Sequence, residues 1–159
     1  MIKDKKFIII GILIAIVLIF AIICAFSFSV FYFKSDFGKG VVKINGKSIK
    51  VETALTAETQ YQGLQGRNSL PADQGMLFVF KDKRYHEFWM QGMKFPIDII
   101  WINDSKIIEI TKNAPVPTNS NSPAIFTPPS EVNYVLEVNA GYTEKNNIKI
   151  GDTVEINLK

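Results

Sequence analysis

The stretch FWMQGMKFPIDIIWI, Phe88–Ile102, carries the pattern that decides the fold. In a β-strand that begins after Pro96, alternate residues point to opposite faces, so Asp98 shares one face with Ile100 and Ile102. Isoleucine and tryptophan residues fill the other face. Because apolar residues occupy both faces, we expect both to be covered by protein and the Asp98 carboxylate to be largely buried. A buried carboxylate needs a charged partner or strong hydrogen bonds, because desolvating it alone is costly.

The segments around this stretch predict short strands separated by turns. Asn45-Gly46 offers the two positive-φ positions of a type I′ turn between two strands. A helix is expected in LTAETQYQGLQG, with Thr56 as its N-cap and Gly63 at its end. GMLFVF, HEFWM, KIIEITK and VNYVLEVNAG predict single strands and IKIGDTVEI two short ones, whereas KDKRY indicates a charged turn and YTEKNN one or two helical turns. The pattern predicts a mainly β domain, a small sandwich or barrel with one short helix.

One long segment, Ala114–Ser130, is rich in Pro, Ser and Asn. A segment of this length without obvious secondary structure is unusual in a compact domain. We therefore expect it to act as a binding loop or a flap.

The chain opens with a long apolar run, since Phe7–Phe33 holds 27 residues without a charge. A helix of this length extends about 40 Å and spans a hydrocarbon core of about 30 Å with some tilt. A cleaved signal peptide is the alternative, but its apolar region is usually about 7–15 residues long. The run therefore favours a single uncleaved transmembrane helix, and the lysines before it favour an amino terminus inside the cell.

These observations predict four parts of the chain. Residues 1–6 form a cytoplasmic basic tail, residues 7–33 a membrane anchor, residues 34–40 a linker and residues 41–159 an extracytoplasmic β-domain. The expected location is the cell membrane, with a single span and the C-terminal domain outside.

Charge and composition narrow the function classes. The first 34 residues hold four of the 18 basic and one of the 15 acidic residues, so the rest carries 14 of each. A neutral domain without a basic patch does not predict nucleic-acid binding. The β-domain has one His and no Cys, which excludes a His/Cys metal cluster, and no phosphate-binding or dinucleotide motif is present. We expect no metal and no cofactor.

Several motifs together resemble a known family. GLQGRNSLPADQGMLFVF, FWMQGMKFPIDIIWI, APVP, YVLEVNAGY and IKIGDTV occur in an order and spacing similar to those of domain of unknown function 192. The resemblance covers Val51–Ile156 and implies a mainly β, sandwich-like fold, while it implies no particular activity. Two pieces depart from the family pattern: Gln91-Gly92-Met93, where Lys-Asn-Thr is usual, and Phe126-Thr127-Pro128 in place of an aromatic-Pro-Ser piece.

The candidate site consists of polar or aromatic residues set among apolar strands: Arg67, Trp89, Asp98, Glu137 and Asn139, with Glu87 as a further candidate. Arg67 is the expected partner of Asp98, because a guanidinium holds a carboxylate with two parallel hydrogen bonds. One interpretation is a buried polar network that fixes strand register. The other is a pocket rimmed by Trp89 and the Pro-rich loop, suited to a sugar, a peptide carboxylate or another small polar ligand.

Three function classes remain open at this point. The sequence favours a membrane-anchored ligand-binding module or an envelope accessory module over an enzyme. The enzyme alternative is a glycan-acting hydrolase that uses Asp98 and Glu137 as its carboxylate pair. A Ser-His-Asp triad would require His86, and no nucleophile-elbow sequence accompanies any serine.

Overall fold

The computed structural model describes residues 12–22, 37–118 and 123–159, and the chain divides into two compact units, residues 1–36 and 37–159. In the first unit, residues 12–22 are helical and their side chains are exposed. Across the described ranges, no helix is long and apolar enough to cross a membrane. The predicted basic tail, the remaining parts of the predicted anchor and linker residues 34–36 lie outside the described residues.

The second unit is mainly β, which confirms the predicted mainly β class of this domain. In its described part, nine strands and two short helices follow one another: β1 Gly38–Ile44, β2 Lys47–Ala54, α1 Ala57–Gln62, β3 Gln74–Arg84, β4 Phe88–Trp89, β5 Ile97–Asn103, β6 Lys106–Ala114, β7 Ile125–Phe126, β8 Val132–Asn139, α2 Tyr142–Lys145 and β9 Val154–Leu158. Residues 38–40 of the predicted linker belong to the first strand.

Seven strands form one sheet in the order β6-β5-β8-β3-β2-β1-β9, and β4 pairs with β7 separately. In the seven-stranded sheet, β2 and β3 are parallel and the other neighbours antiparallel. The two edges meet at a bridge between Lys106 and Thr153. Beside it, the Ile107 N–H donates to the Asp152 carbonyl at 3.1 Å, and the Gly151 N–H donates to the Ile107 carbonyl at 2.8 Å. The sheet therefore closes on itself as a small barrel.

Two apolar clusters cover the two faces of this sheet. The interior cluster takes members from all seven strands: Val42, Ile44, Ile49, Val51, Leu77, Ile100, Ile102, Ile107, Leu136, Val138 and Val154, with Ile148 added. The outer cluster includes Met76, Phe78, Ile97, Ile99, Trp101 and Val135 on the strands and Leu64, Leu70, Met90 and Met93 from the connecting segments. The predicted alternation of β5 is confirmed, because its residues divide between the two clusters as expected.

The predicted hairpin and helix are also confirmed. Asn45 and Gly46 have φ values of 50° and 74°, and they join β1 to β2. The Thr56 hydroxyl accepts a hydrogen bond from the Thr59 N–H at 3.2 Å, and the Thr59 hydroxyl accepts one from the Thr56 N–H at 3.0 Å. This reciprocal capping begins α1, which ends at Gly63 with φ 49°.

Three local predictions are wrong. KDKRY does not form a turn, because β3 continues through Arg84, which pairs with Val132 beyond a register shift. The charged residues at this end of β3 are exposed, so a strand accommodates them. HEFWM contributes only the two residues of β4. IKI is not a strand: the Ile148 N–H donates to the Thr143 carbonyl at 2.9 Å, and the Ile148 side chain packs against the interior cluster.

Candidate functional site

Asp98 is fully buried, as predicted, but the prediction that Arg67 is its partner is wrong. Its Oδ1 accepts hydrogen bonds from the Asn113 N–H at 2.9 Å and the Gly141 N–H at 3.1 Å. Its Oδ2 accepts from the Thr143 N–H at 3.0 Å and the Thr143 hydroxyl at 2.6 Å. Four donors therefore satisfy the carboxylate without a cation, and they tie the end of β6 and the start of α2 to β5.

Arg67 pairs with Glu52 of β2 instead. Its two terminal nitrogens lie 2.6 Å and 2.8 Å from the two Glu52 oxygens, and the guanidinium carbon lies 5.4 Å from the centre of the Phe37 ring. The hydrogen bond from Arg67 lowers the pKa of Glu52. With side chains 27% and 35% exposed, the pair is worth about 1 kcal/mol. It fastens the segment after α1 to the barrel.

Asn139 has a similar fastening role. Its amide donates to the carbonyl groups of Leu70 and Pro71, at 2.9 Å and 3.2 Å. These bonds hold the loop that follows α1 against the end of β8. Asn139 lines a broad depression that it shares with Gly141 and Tyr142.

Glu137 lies in the middle of β8, on the outer face with Val135 and opposite Met76 of β3 and Ile99 of β5. Its side chain is buried, at 5% exposure. No described residue donates a hydrogen bond to its carboxyl group. No fully buried side-chain oxygen of the described residues lacks a hydrogen bond, so the carboxyl oxygens of Glu137 are open to the space above the sheet. Burial raises the pKa of Glu137 to about 8, and the nearby Arg67 charge offsets this only in part.

A cavity of about 170 Å³ opens over Glu137, and we call it the Glu137 cavity. Its apolar and aromatic lining consists of Tyr61, Gly63, Leu64, Phe78, Phe80, Phe88, Trp89 and Met93. Its polar lining consists of Gln60, Gln62, Gln65, His86, Glu87 and Glu137. A concave space with aromatic walls and a few polar groups is the usual form of a small-molecule site.

Trp89 lies at the rim of the Glu137 cavity, with 39% of its surface exposed. Its ring meets the Tyr61 ring edge to face, with centroids 5.9 Å apart. The neighbouring strand comes from the Pro-rich loop, because Trp89 pairs with Ile125 of β7. The loop thus supports the rim, although none of its described residues lines the cavity.

The ionisable side chains that line the Glu137 cavity include two carboxyl groups, those of Glu87 and Glu137. Glu87 is exposed at the rim, and no Lys or Arg occurs among the described lining residues. The His86 ring stacks on Phe80 with centroids 3.5 Å apart, and burial lowers the pKa of His86, so its ring is neutral at pH 7. Within the described ranges, no group of three metal-binding side chains lies close enough to hold an ion.

The structure brings two of the five predicted site residues, Trp89 and Glu137, into one cavity. Asp98 and Glu137 point to opposite faces of the sheet, since Asp98 pairs with Val138 and Ile99 pairs with Glu137 on adjacent strands. One scissile bond cannot lie between two carboxylates on opposite faces of a sheet. The predicted hydrolase that uses Asp98 and Glu137 as its carboxylate pair is therefore wrong.

Sequence reasoning missed the glutamines of the cavity. Gln60, Gln62 and Gln65 come from α1 and the residues after it. Their only sequence signal is the recurrence of one amide side chain in QYQGLQ. The Gln60 amide donates to the Val79 carbonyl at 2.8 Å, and the Gln65 amide donates to the Tyr61 carbonyl at 2.6 Å, so both have fixed positions in the wall.

Comparisons with known proteins agree with this architecture. A crystal structure from Sinorhizobium meliloti, of a protein described as a candidate transcription regulator, is 32% identical with a TM-score of 0.70, over 77% of this chain and 97% of that one. A protein of unknown function from Novosphingobium aromaticivorans is 29% identical with a TM-score of 0.70, over 77% and 88%. No curated protein matches the chain. The family model DUF192, described as an uncharacterized ACR, matches residues 40–156, and the chain therefore belongs to this family.

Proposed function

We propose that this protein is a membrane-anchored, extracytoplasmic module that binds one small ligand in the Glu137 cavity. One observation carries this proposal: Glu137 is buried and faces an aromatic cavity, while no described residue donates a hydrogen bond to it. Such a group makes the folded state less stable. Residues that lower stability without a structural benefit are typical of functional sites.

The size of the Glu137 cavity limits the ligand. A cavity of about 150 Å³ admits a molecule such as benzene. The Glu137 cavity, at about 170 Å³, therefore suits one small molecule or one end group of a larger one. Because none of the described lining residues is a Lys or Arg, they offer no charge partner to a peptide carboxylate, which was one of the expected ligands.

We do not propose a nucleic-acid ligand for this protein. The Sinorhizobium meliloti protein is described as a candidate transcription regulator, and that description belongs to that protein. Here the part after residue 34 has equal numbers of acidic and basic residues, 14 of each. Binding to a phosphate backbone relies on an excess of basic side chains.

Ligand binding predicts a thermal shift that depends on the rim. We expect at least one compound of about five to ten heavy atoms to raise the melting temperature of the full-length protein, because a ligand at about 100 times its Kd adds about 2.7 kcal/mol of stability. Trp89→Ala should abolish this shift, whereas Glu58→Gln, an exposed change on α1 away from the cavity, should preserve it. A broad panel of small sugars, amines and aromatics that leaves the melting temperature unchanged would contradict the proposal.

The location predicts a specific fractionation. We expect the full-length chain to stay in the membrane fraction after an alkaline carbonate wash, and protease added outside the cell to digest residues 37–159. A double variant, Ile14→Lys with Leu18→Lys, should lose the anchor, because each central Lys opposes insertion by about 3 kcal/mol. Soluble wild-type protein of full length would contradict the anchor, and a released shorter form would indicate a cleaved signal peptide.

A further inference from the structure

We propose that the ligand of the Glu137 cavity is a small organic cation of the substituted-ammonium class. The inference rests on the proposed function, because it names the ligand of the same cavity. Three features support it: the sign of the charges, the aromatic walls and the size.

The charges of the Glu137 cavity call for a positive ligand. Glu137 lies in its wall and Glu87 at its rim, and no described lining residue is a Lys or Arg. The Arg67 charge compensates only in part, since Glu52 holds its guanidinium with two hydrogen bonds. A cation that enters the cavity supplies the partner that the ionised form of Glu137 lacks, whereas an anion would meet the Glu87 carboxylate and no described cationic side chain in the lining.

The walls of the Glu137 cavity favour a weakly hydrated cation. Five aromatic side chains line it: Tyr61, Phe78, Phe80, Phe88 and Trp89. Phe88 meets Phe78 and Phe80 edge to face, with interplanar angles of 82° and 86°, so the rings of the wall stand at right angles to each other. Aromatic rings attract cations at their faces, and such cages recognise quaternary and methylated ammonium groups. A primary ammonium would lose stronger hydration on entry than a substituted one.

Size gives the third constraint. The cavity volume of about 170 Å³ holds one compact head group, such as a trimethylammonium group with a short polar arm. The polar part of the lining, which includes Gln65, offers hydrogen-bonding groups to such an arm.

Binding of a cation also predicts proton release. The ionised form of Glu137 pairs with the cation, so a Glu137 side chain that is protonated before binding gives its proton to the buffer. Below about pH 8, the affinity for the cation should therefore increase by up to tenfold for each unit by which the pH is raised. The other titratable or charged groups around Glu137 are Tyr61, Arg67, His86 and Glu87. Burial lowers the pKa of His86. Where His86 does become protonated at acid pH, its positive charge would also weaken cation binding, so its effect adds to that of Glu137.

The test is calorimetric titration of the full-length protein in a non-ionic detergent. Choline and tetramethylammonium are the cationic probes, and 3,3-dimethylbutan-1-ol is the uncharged isostere of choline. We expect choline to bind at least about tenfold more tightly than the isostere at pH 8. Repeating the titration at pH 6 in two buffers of different ionisation enthalpy should show release of up to one proton.

Matched variants assign the effect to the cavity. Glu137→Gln should weaken choline binding by about 10- to 100-fold and abolish the proton release, because the amide keeps the shape and removes the charge. Trp89→Ala should weaken both cationic probes, whereas Glu58→Gln should bind choline like the wild type. Choline binding that survives both Glu137→Gln and Trp89→Ala would overturn the inference, since the cation would then bind elsewhere.

The outcomes also separate this inference from the proposed function. If the uncharged isostere or a simple sugar binds in a Trp89-dependent manner and the cations do not, the ligand class is wrong and the binding module stands. If neither the cations nor any neutral compound binds, both proposals fail together. Cation binding that is equally tight at pH 6 and pH 8 without proton release would overturn the role of Glu137 as the partner.

Discussion

Replacing Asp98 with alanine is expected to lower the free energy of unfolding by about 5 kcal/mol, because four donors, two of them buried on Thr143, then lose their acceptor. Three of them are the backbone N–H groups of Asn113, Gly141 and Thr143, and the fourth is the Thr143 hydroxyl. Each buried donor left without a partner costs about 1–3 kcal/mol. The total free energy of unfolding of a domain of this size is about 5–15 kcal/mol, so the Asp98→Ala variant should be only marginally stable. Guanidinium unfolding followed by tryptophan fluorescence measures the change.

Two further variants should show graded losses of stability, in an order that a general packing defect would not produce. Asp98→Asn keeps the shape and one acceptor oxygen but turns an N–H₂ group toward a donor, so we expect a loss of about 3 kcal/mol. Thr143→Val removes one donor at nearly constant volume and should cost about 1–2 kcal/mol. An Asp98→Ala protein within about 1 kcal/mol of the wild type would contradict the hydrogen-bonding role of this carboxylate.

The sequence predicted those features of the fold that depend on local periodicity and turn chemistry. The alternation of β5, the Asn45-Gly46 hairpin and the Thr56 cap all follow from the residues that form them. The partner of Asp98 does not, because its donors are mostly backbone N–H groups, which exist at every position except proline. Closure of the barrel through Lys106 and Thr153 leaves no sequence signal either, since it depends on how strongly the sheet curls.

The site shows the same limit. Asp98 and Glu137 present one sequence pattern, a carboxylate inside an apolar strand, and the sequence alone treats them alike. In the structure, Asp98 accepts four hydrogen bonds, whereas no described donor reaches Glu137. Burial alone therefore does not distinguish a structural carboxylate from a functional one. The number of donors around the carboxylate does, and that number depends on segments far away in the chain.

Replacing Glu137 with glutamine is expected to have the opposite effect and to stabilise the protein, by about 3 kcal/mol at pH 7. Folding raises the pKa of Glu137 to about 8 from an ordinary value of 4.5. Between these values the folded state holds a proton that the unfolded state has lost. The stability of the wild type is therefore complete below about pH 4.5, falls by about 1.4 kcal/mol per pH unit as the pH rises, and levels off above about pH 8. Glutamine does not titrate, so the stability of the Glu137→Gln variant should not fall with rising pH in this way.

Measuring the free energy of unfolding of three variants across pH 4–9 tests the direction of this pH dependence. Glu52→Gln should act in the other direction, because the pKa of Glu52 is lowered by Arg67 and its stabilising contribution is lost as the pH falls. Glu58→Gln, on the exposed face of α1, should follow the wild type throughout. Saturating choline should narrow the gap between wild type and Glu137→Gln, because the cation stabilises only the ionised carboxylate well. A Glu137→Gln protein less stable than the wild type at pH 8 would mean that Glu137 folds as a partnered carboxylate, and the Glu137 cavity would then belong to the architecture of the barrel.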